Sequence, residues 1–215
     1  MRLKTLIVGL VLAVAAGPLA AQPLRILAFG DSLTEGHGLP RDSGLVPQLQ
    51  DWLRQRGHDV EVVNGGGSGD TTAAGLKRLG SWLDREQPDA VIVELGGNDI
   101  ITDEPPATAE KNLDAILTQA GAGGRPLLLV GIASPYLSPE LTQEWAAIWP
   151  RLAQRHGTGL VQNLYEPFFE MPDKSYLTML QPDQTHANAE GVKLIIDRMG
   201  PRVEEMIAKI PPRPE

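Results

Sequence analysis

Runs of apolar residues alternate with stretches of helical periodicity along this chain. Leu24-Arg25-Ile26-Leu27-Ala28-Phe29 is nearly uniform in its apolar character and predicts a buried strand. Val60-Glu61-Val62-Val63 predicts a second, Ala90-Val91-Ile92-Val93-Glu94-Leu95 a third and Leu127-Leu128-Leu129-Val130 a fourth. Residues 159–164 predict a short fifth strand. Between them the period changes. Leu45, Val46, Leu49, Trp52 and Leu53 recur at helical spacing, which predicts a helix over 44–56 closed by Gly57. Leu76, Leu79 and Leu83 predict another over 70–85, and a third spans 108–120. Ser138-Pro139 supplies a cap and an N1 proline for a helix with Trp145, Ile148, Trp149 and Leu152 on its inner face, with a kink expected at Pro150. A last helix covers 188–207. Strand–helix alternation implies right-handed crossovers and a five-stranded parallel sheet covered on both faces. No repeat or linker divides the chain, which predicts a single domain over 22–215.

Each of the first three strands ends in a polar, glycine-rich break: Gly30-Asp31-Ser32-Leu33, then residues 64–71, then Gly96-Gly97-Asn98-Asp99. In a parallel sheet all strand C-termini lie on one edge, where open α/β sheets place their ligands. Ser32, the backbone N–H of Gly69 and the amide of Asn98 are therefore expected to meet. The later loop carrying Asp183 and His186 is able to close over the same edge. Acyl transfer needs a nucleophile, a base and a place for the oxyanion. Ser32 fits the first role, His186 the second, and Asp183 precedes the histidine by one turn, where it holds the ring. The N–H groups of Ser32 and Gly69 and the Asn98 side chain fit the third. The competing reading of Asp31 and Ser32 is a plain helix cap, and Asp31, Asp70 and Asp99 also suit caps and loop braces. His58 and His156 sit at predicted helix ends, and His37 is either a pocket wall or an exposed loop residue.

Composition narrows the partners. The formal net charge is −8, which disfavours nucleic acid and anionic membrane surfaces. There is no cysteine, so disulfides, thiolate metal sites and a cysteine nucleophile are excluded. The first 21 residues have a basic start (Arg2, Lys4), an apolar run from Leu6 to Ala16 and a small-residue stretch ending at Ala21. That layout predicts a secretory signal peptide over 1–21, hence a periplasmic or secreted product without stable membrane insertion. An uncleaved anchor is the alternative, although the run is short for a full span.

Together, Gly30-Asp31-Ser32-Leu33, Ser68-Gly69-Asp70-Thr71, Gly96-Gly97-Asn98-Asp99 and Asp183-Gln184-Thr185-His186 resemble the four blocks of the SGNH (GDSL) hydrolases. Within that family the chain is most similar to the bacterial periplasmic arylesterases, acyl-CoA thioesterases and lysophospholipases. The resemblance covers about Leu24 to Gly200. It implies a three-layer α/β/α sandwich of the SGNH, flavodoxin-like kind. It also implies a monomeric serine esterase with no cofactor and no metal, acting on small acyl esters or thioesters. The catalytic set would be Ser32, Asp183 and His186, and the oxyanion hole Ser32, Gly69 and Asn98. The chain departs from the family's usual pattern at Ala187, where proline is common, at His37, and in the loop from Ala133 to Ser138. Two other readings of the residues stand beside it. Asp31, Asp70, Asp99, Asp183 and His186 suit a metal-dependent phosphoesterase. The same polar loops also suit a non-catalytic periplasmic ligand-binding domain.

Overall fold

A computed structural model describes residues 22–134 and 137–212. The signal-peptide expectation for 1–21, and Pro135 and Tyr136 of the loop after the fourth strand, lie outside the described residues. Five parallel strands, β1 (Leu24–Gly30), β2 (Val60–Gly66), β3 (Ala90–Glu94), β4 (Leu127–Val130) and β5 (Gly159–Val161), form one sheet in the order β2-β1-β3-β4-β5. The strands alternate faces, as pleating requires. Ile26, Ala28, Ile92, Leu128 and Val130 pack on one side with α2 (Leu45–Gln55) and α8 (Ala189–Ile207). Leu27, Phe29, Val91, Val93 and Leu129 pack on the other with α3 (Thr72–Glu86), α5 (Pro106–Ala120) and α6 (Pro139–His156). The expected three layers and parallel pairings are present. Burial on both faces explains why β3 reads as an unbroken apolar run. Each fully buried valine or isoleucine there contributes about 1.5–3 kcal/mol relative to exposure.

Most element ends fall within two residues of the sequence pattern, and the deviations have local causes. The helix expected from residue 70 begins at Thr72, because Thr71 caps it and Asp70 is drawn into an ion pair with Arg78. Pro105 is the N-cap of α5 and Pro106 its first residue, two residues ahead of the periodic signal. β5 stops at Val161, where the Asn163 side chain rather than its backbone accepts from the N–H groups of Ala133 and Tyr165. At Pro150, α6 continues as one helix. The Ala146 carbonyl, which loses its usual donor to the proline, accepts instead from Gln162 Nε2 at 2.9 Å. The stretch from Glu166, whose sequence shows no helical period, holds a short helix α7 (Glu166–Phe169) and a 3-10 segment at Pro172–Met179.

What positions the site is the strand order. From β1 the chain runs to the β2 edge, then crosses back to β3 on the far side of β1. The connections leaving β1 and β3 therefore diverge and open a crevice at their carboxyl ends.

Candidate active site

The chain turns sharply at the end of β1 into α1 (Ser32–Glu35). Gly30 permits that turn. A Cβ there would run into Thr34 Oγ1 and lie 2.6 Å from the Glu94 carbonyl oxygen and 2.7 Å from its Oε2. Asp31 caps the helix, its Oδ1 accepting the Leu33 N–H at 3.0 Å. Both competing readings of the Gly30-Asp31-Ser32 corner are thus partly realised: Asp31 is the cap, and Ser32 stands free of that duty. As the first residue of α1, Ser32 has a backbone N–H with no helical acceptor.

The Ser32 hydroxyl lies 2.9 Å from His186 Nε2, and His186 Nδ1 lies 2.7 Å from Asp183 Oδ2. A carboxylate only accepts, so the neutral ring carries its proton on Nδ1 and leaves Nε2 to receive the serine proton. Asp183 Oδ1 meanwhile accepts the N–H groups of Thr185 (2.9 Å) and His186 (3.0 Å). Burial opposes ionisation of this carboxyl, but those two N–H groups and the imidazole outweigh it and hold it at about 2. The loop is pinned from several sides. The Gln181 N–H donates to the His186 carbonyl at 2.7 Å, Tyr165 donates its hydroxyl to the Thr185 carbonyl at 2.8 Å, and Asn188 caps α8. These bonds supply the stiffness that a proline at position 187 would otherwise give.

Gly69 and Asn98 face the same space as Ser32 and His186. Gly69 has φ +82°, a left-handed backbone that a side chain would strain, and among the described residues its N–H has no hydrogen-bond partner. Asn98 lies on the short helix α4 (Gly97–Ile101), and its Nδ2 donates to the Asp70 carbonyl at 2.9 Å and reaches Asp31 Oδ2 at 3.3 Å. His37 is a wall of the pocket: its ring centroid is 4.9 Å from that of His186, and its carbonyl accepts from Gln181 Nε2 at 2.8 Å.

The aspartates that a metal site would draw on are engaged separately. Asp31 caps α1, Asp70 pairs with Arg78, and buried Asp99 accepts from the N–H and hydroxyl of Thr72 at 2.7 and 2.6 Å. Among the described residues no three potential ligands cluster as a metal would need.

A match to the GDSL-like lipase/acylhydrolase family spans residues 28–194 and so contains all five of these positions. The chain belongs to that family. Esterase TesA of Pseudomonas aeruginosa is 34% identical over 189 residues, 87% of this chain and 90% of the relative. Thioesterase 1/protease 1/lysophospholipase L1 of Escherichia coli K12 is 30% identical over 189 residues, 87% of each chain. The crystal structure of AlinE4, an SGNH-hydrolase family esterase, superposes with a TM-score of 0.71 at 36% identity, covering 86% of this chain and 97% of that one. Membership makes this chain a hydrolase, and the expected SGNH fold is the one observed.

The site around Ser32 opens into a cavity of about 470 Å³. Leu33, Ile100 and Ile132 line it near the sheet, while Phe168 and Leu180 come from the segment between β5 and α8. Ile101, Phe169 and Leu177 stand exposed at the same cavity. Three contributors escaped the sequence reading. Arg78 lies beneath the site, pairing with Asp70 and donating to the carbonyls of Gly65 (2.7 Å) and Gly30 (2.8 Å). Tyr165 holds the histidine loop. Glu94 is buried behind Ser32, and its signal was one carboxyl in an otherwise apolar strand.

Proposed function

We propose that this chain is a serine esterase, hydrolysing carboxylic esters or thioesters through an acyl-enzyme on Ser32. The observation that carries the reading is the continuous contact Ser32–His186–Asp183, 2.9 and 2.7 Å, at the mouth of an apolar cavity. His186 takes the proton as Ser32 Oγ attacks the acyl carbon, and later returns it to the leaving oxygen or sulfur. Water then repeats the sequence and frees the acid. Asp183 stabilises the imidazolium and fixes its tautomer. The N–H groups of Ser32 and Gly69 and the Asn98 amide receive the oxyanion, Asn98 exchanging its long contact with Asp31 for the developing charge.

The cavity suits an acyl chain, because it is largely apolar and has its polar groups gathered at Ser32. The names of the relatives support the same class: an esterase, and a thioesterase and lysophospholipase. Aryl esters, acyl-CoA and lysophospholipids are the substrates to assay. Residues 1–21 are proposed to be removed on export to the periplasm or medium; among the described residues no helix is long and apolar enough to cross a membrane. Mass spectrometry of the mature N-terminus is expected to find Met1 absent, and its retention would contradict export by cleavage.

Asn98→Ala tests the oxyanion assignment. Loss of one such donor is expected to lower kcat for a short aryl ester about 10²–10³-fold with little change in KM. A rise in KM at unchanged kcat would mean that Asn98 only binds the ground state.

A further inference from the structure

Directly behind the nucleophile lies a carboxyl that the reaction above does not use. Glu94, the last residue of β3, is 2% exposed. Its Oε2 accepts from Thr34 Oγ1 at 2.8 Å, on the helix that begins with Ser32. Its Oε1 is buried and has no hydrogen-bond partner among the described residues. The neighbouring group is the carboxyl of Asp31, itself 2% exposed and within hydrogen-bonding reach. Two buried carboxylates in contact repel, and each carries a large desolvation cost. One proton between them removes the repulsion and turns the orphaned acceptor into a donor.

Asp31 is the point where the halves of the site join. One oxygen caps α1, and the other meets Asn98 Nδ2 at 3.3 Å. We propose that Glu94 is a positioning residue for the oxyanion hole, holding through a shared proton the Asp31 carboxylate that ties the start of the Ser32 helix to the Asn98 amide. The inference rests on the esterase reading of Asn98. With the proton in place, Asp31 spends part of its acceptor strength on Glu94 and pulls less on the Asn98 N–H that must turn to the oxyanion. Without it, a second negative charge stands behind a hole built to receive one.

The surroundings favour that protonation. Burial pushes the Glu94 carboxyl well above the usual carboxylate range and the Asp31 charge adds to it; the Thr34 hydroxyl and the Asp31 N–H oppose this. Burial likewise pushes Asp31 up to about 6, against the Leu33 N–H and His186, with Asp70 adding to the rise. Among the described residues no cation pairs with either carboxyl: Arg78 is occupied by Asp70 and by two carbonyls. The phenol of Tyr165, raised by burial and by Glu94, adds no charge.

The test compares the wild type with Glu94→Gln and Glu94→Ala. Glutamine accepts from Thr34 and donates to Asp31 at every pH. It is expected to keep kcat within about threefold of wild type at neutral pH, while alanine lowers kcat about tenfold or more at similar KM. In the wild type, kcat is expected to fall at alkaline pH as the pair loses its proton, and the Glu94→Gln variant is expected to lack that limb. Circular dichroism at each pH keeps unfolding apart from titration. Infrared difference spectra read the pair without any turnover: the carbonyl band of a protonated, buried acid should be present in the wild type and absent from Glu94→Gln. Reaction of Ser32 with a fluorophosphonate separates failure of this inference from failure of the esterase reading. Identical alkaline limbs in wild type and Glu94→Gln, a missing acid band, or a glutamine variant as poor as the alanine one would each overturn the proposal.

Discussion

Ser32→Ala and His186→Ala are each expected to lower kcat/KM for an aryl ester roughly 10⁵–10⁶-fold, and the double variant to be little worse than either single one. The two side chains act as one device across a 2.9 Å contact. Without the imidazole the hydroxyl keeps its proton; without the hydroxyl the imidazole has no attached nucleophile to activate. Losses inside such a unit do not multiply. The residual rate belongs to the oxyanion donors and to binding. The check is kcat/KM for the three variants in protein shown by circular dichroism to be folded. Multiplying losses would mean that serine and histidine act in separate steps.

Asp183→Asn is expected to cost on the order of 10³–10⁴-fold in kcat, less than the loss of Ser32. The asparagine oxygen can still accept from the Thr185 and His186 N–H groups, which leaves its NH₂ facing His186 Nδ1. The ring then turns to the tautomer protonated on Nε2, which donates to Ser32 rather than accepting from it. The pH profile carries the same assignment. Only the neutral His186 ring, held by an ionised Asp183, accepts the serine proton. Asp183 is held at about 2 and is ionised at neutral pH. Because its folded value lies below the ordinary one, its contribution to loop stability is present above the ordinary value and disappears as pH falls towards about 2. A steady-state profile of the wild type and the asparagine variant checks both effects, and equal rates for the two would remove Asp183 from the mechanism.

The sheet was legible because β1, β3 and β4 are buried on both faces and announce themselves as apolar runs. The site was legible for a related reason. Glycine and polar residues directly after such runs have to lie on the carboxyl edge, so Ser32, Gly69 and Asn98 were placed together by topology alone. Asp183 and His186 needed no long-range inference with each other, since one turn separates them. The stretch between β5 and α8 was not legible. α7 has four residues and the 3-10 segment contains positive-φ residues at Asp173 and Lys174, so neither displays a helical period. Yet that stretch supplies Phe168 and Leu180 to the cavity. Glu94 and Arg78 were missed for the opposite reason: each sits inside an element whose pattern reads as core packing, and only the tertiary structure brings them under Ser32.

The most direct test of the central claim is the site of covalent modification. Purified protein is treated with a fluorophosphonate ester in excess chelator and digested, and its peptides are read by mass spectrometry. A single phosphonyl adduct on Ser32 is expected, formed in step with loss of esterase activity and absent from His186→Ala on the same timescale. Full hydrolytic activity in protein whose Ser32 is quantitatively modified, or activity that vanishes in chelator and returns with a divalent ion, would contradict a serine-centred mechanism.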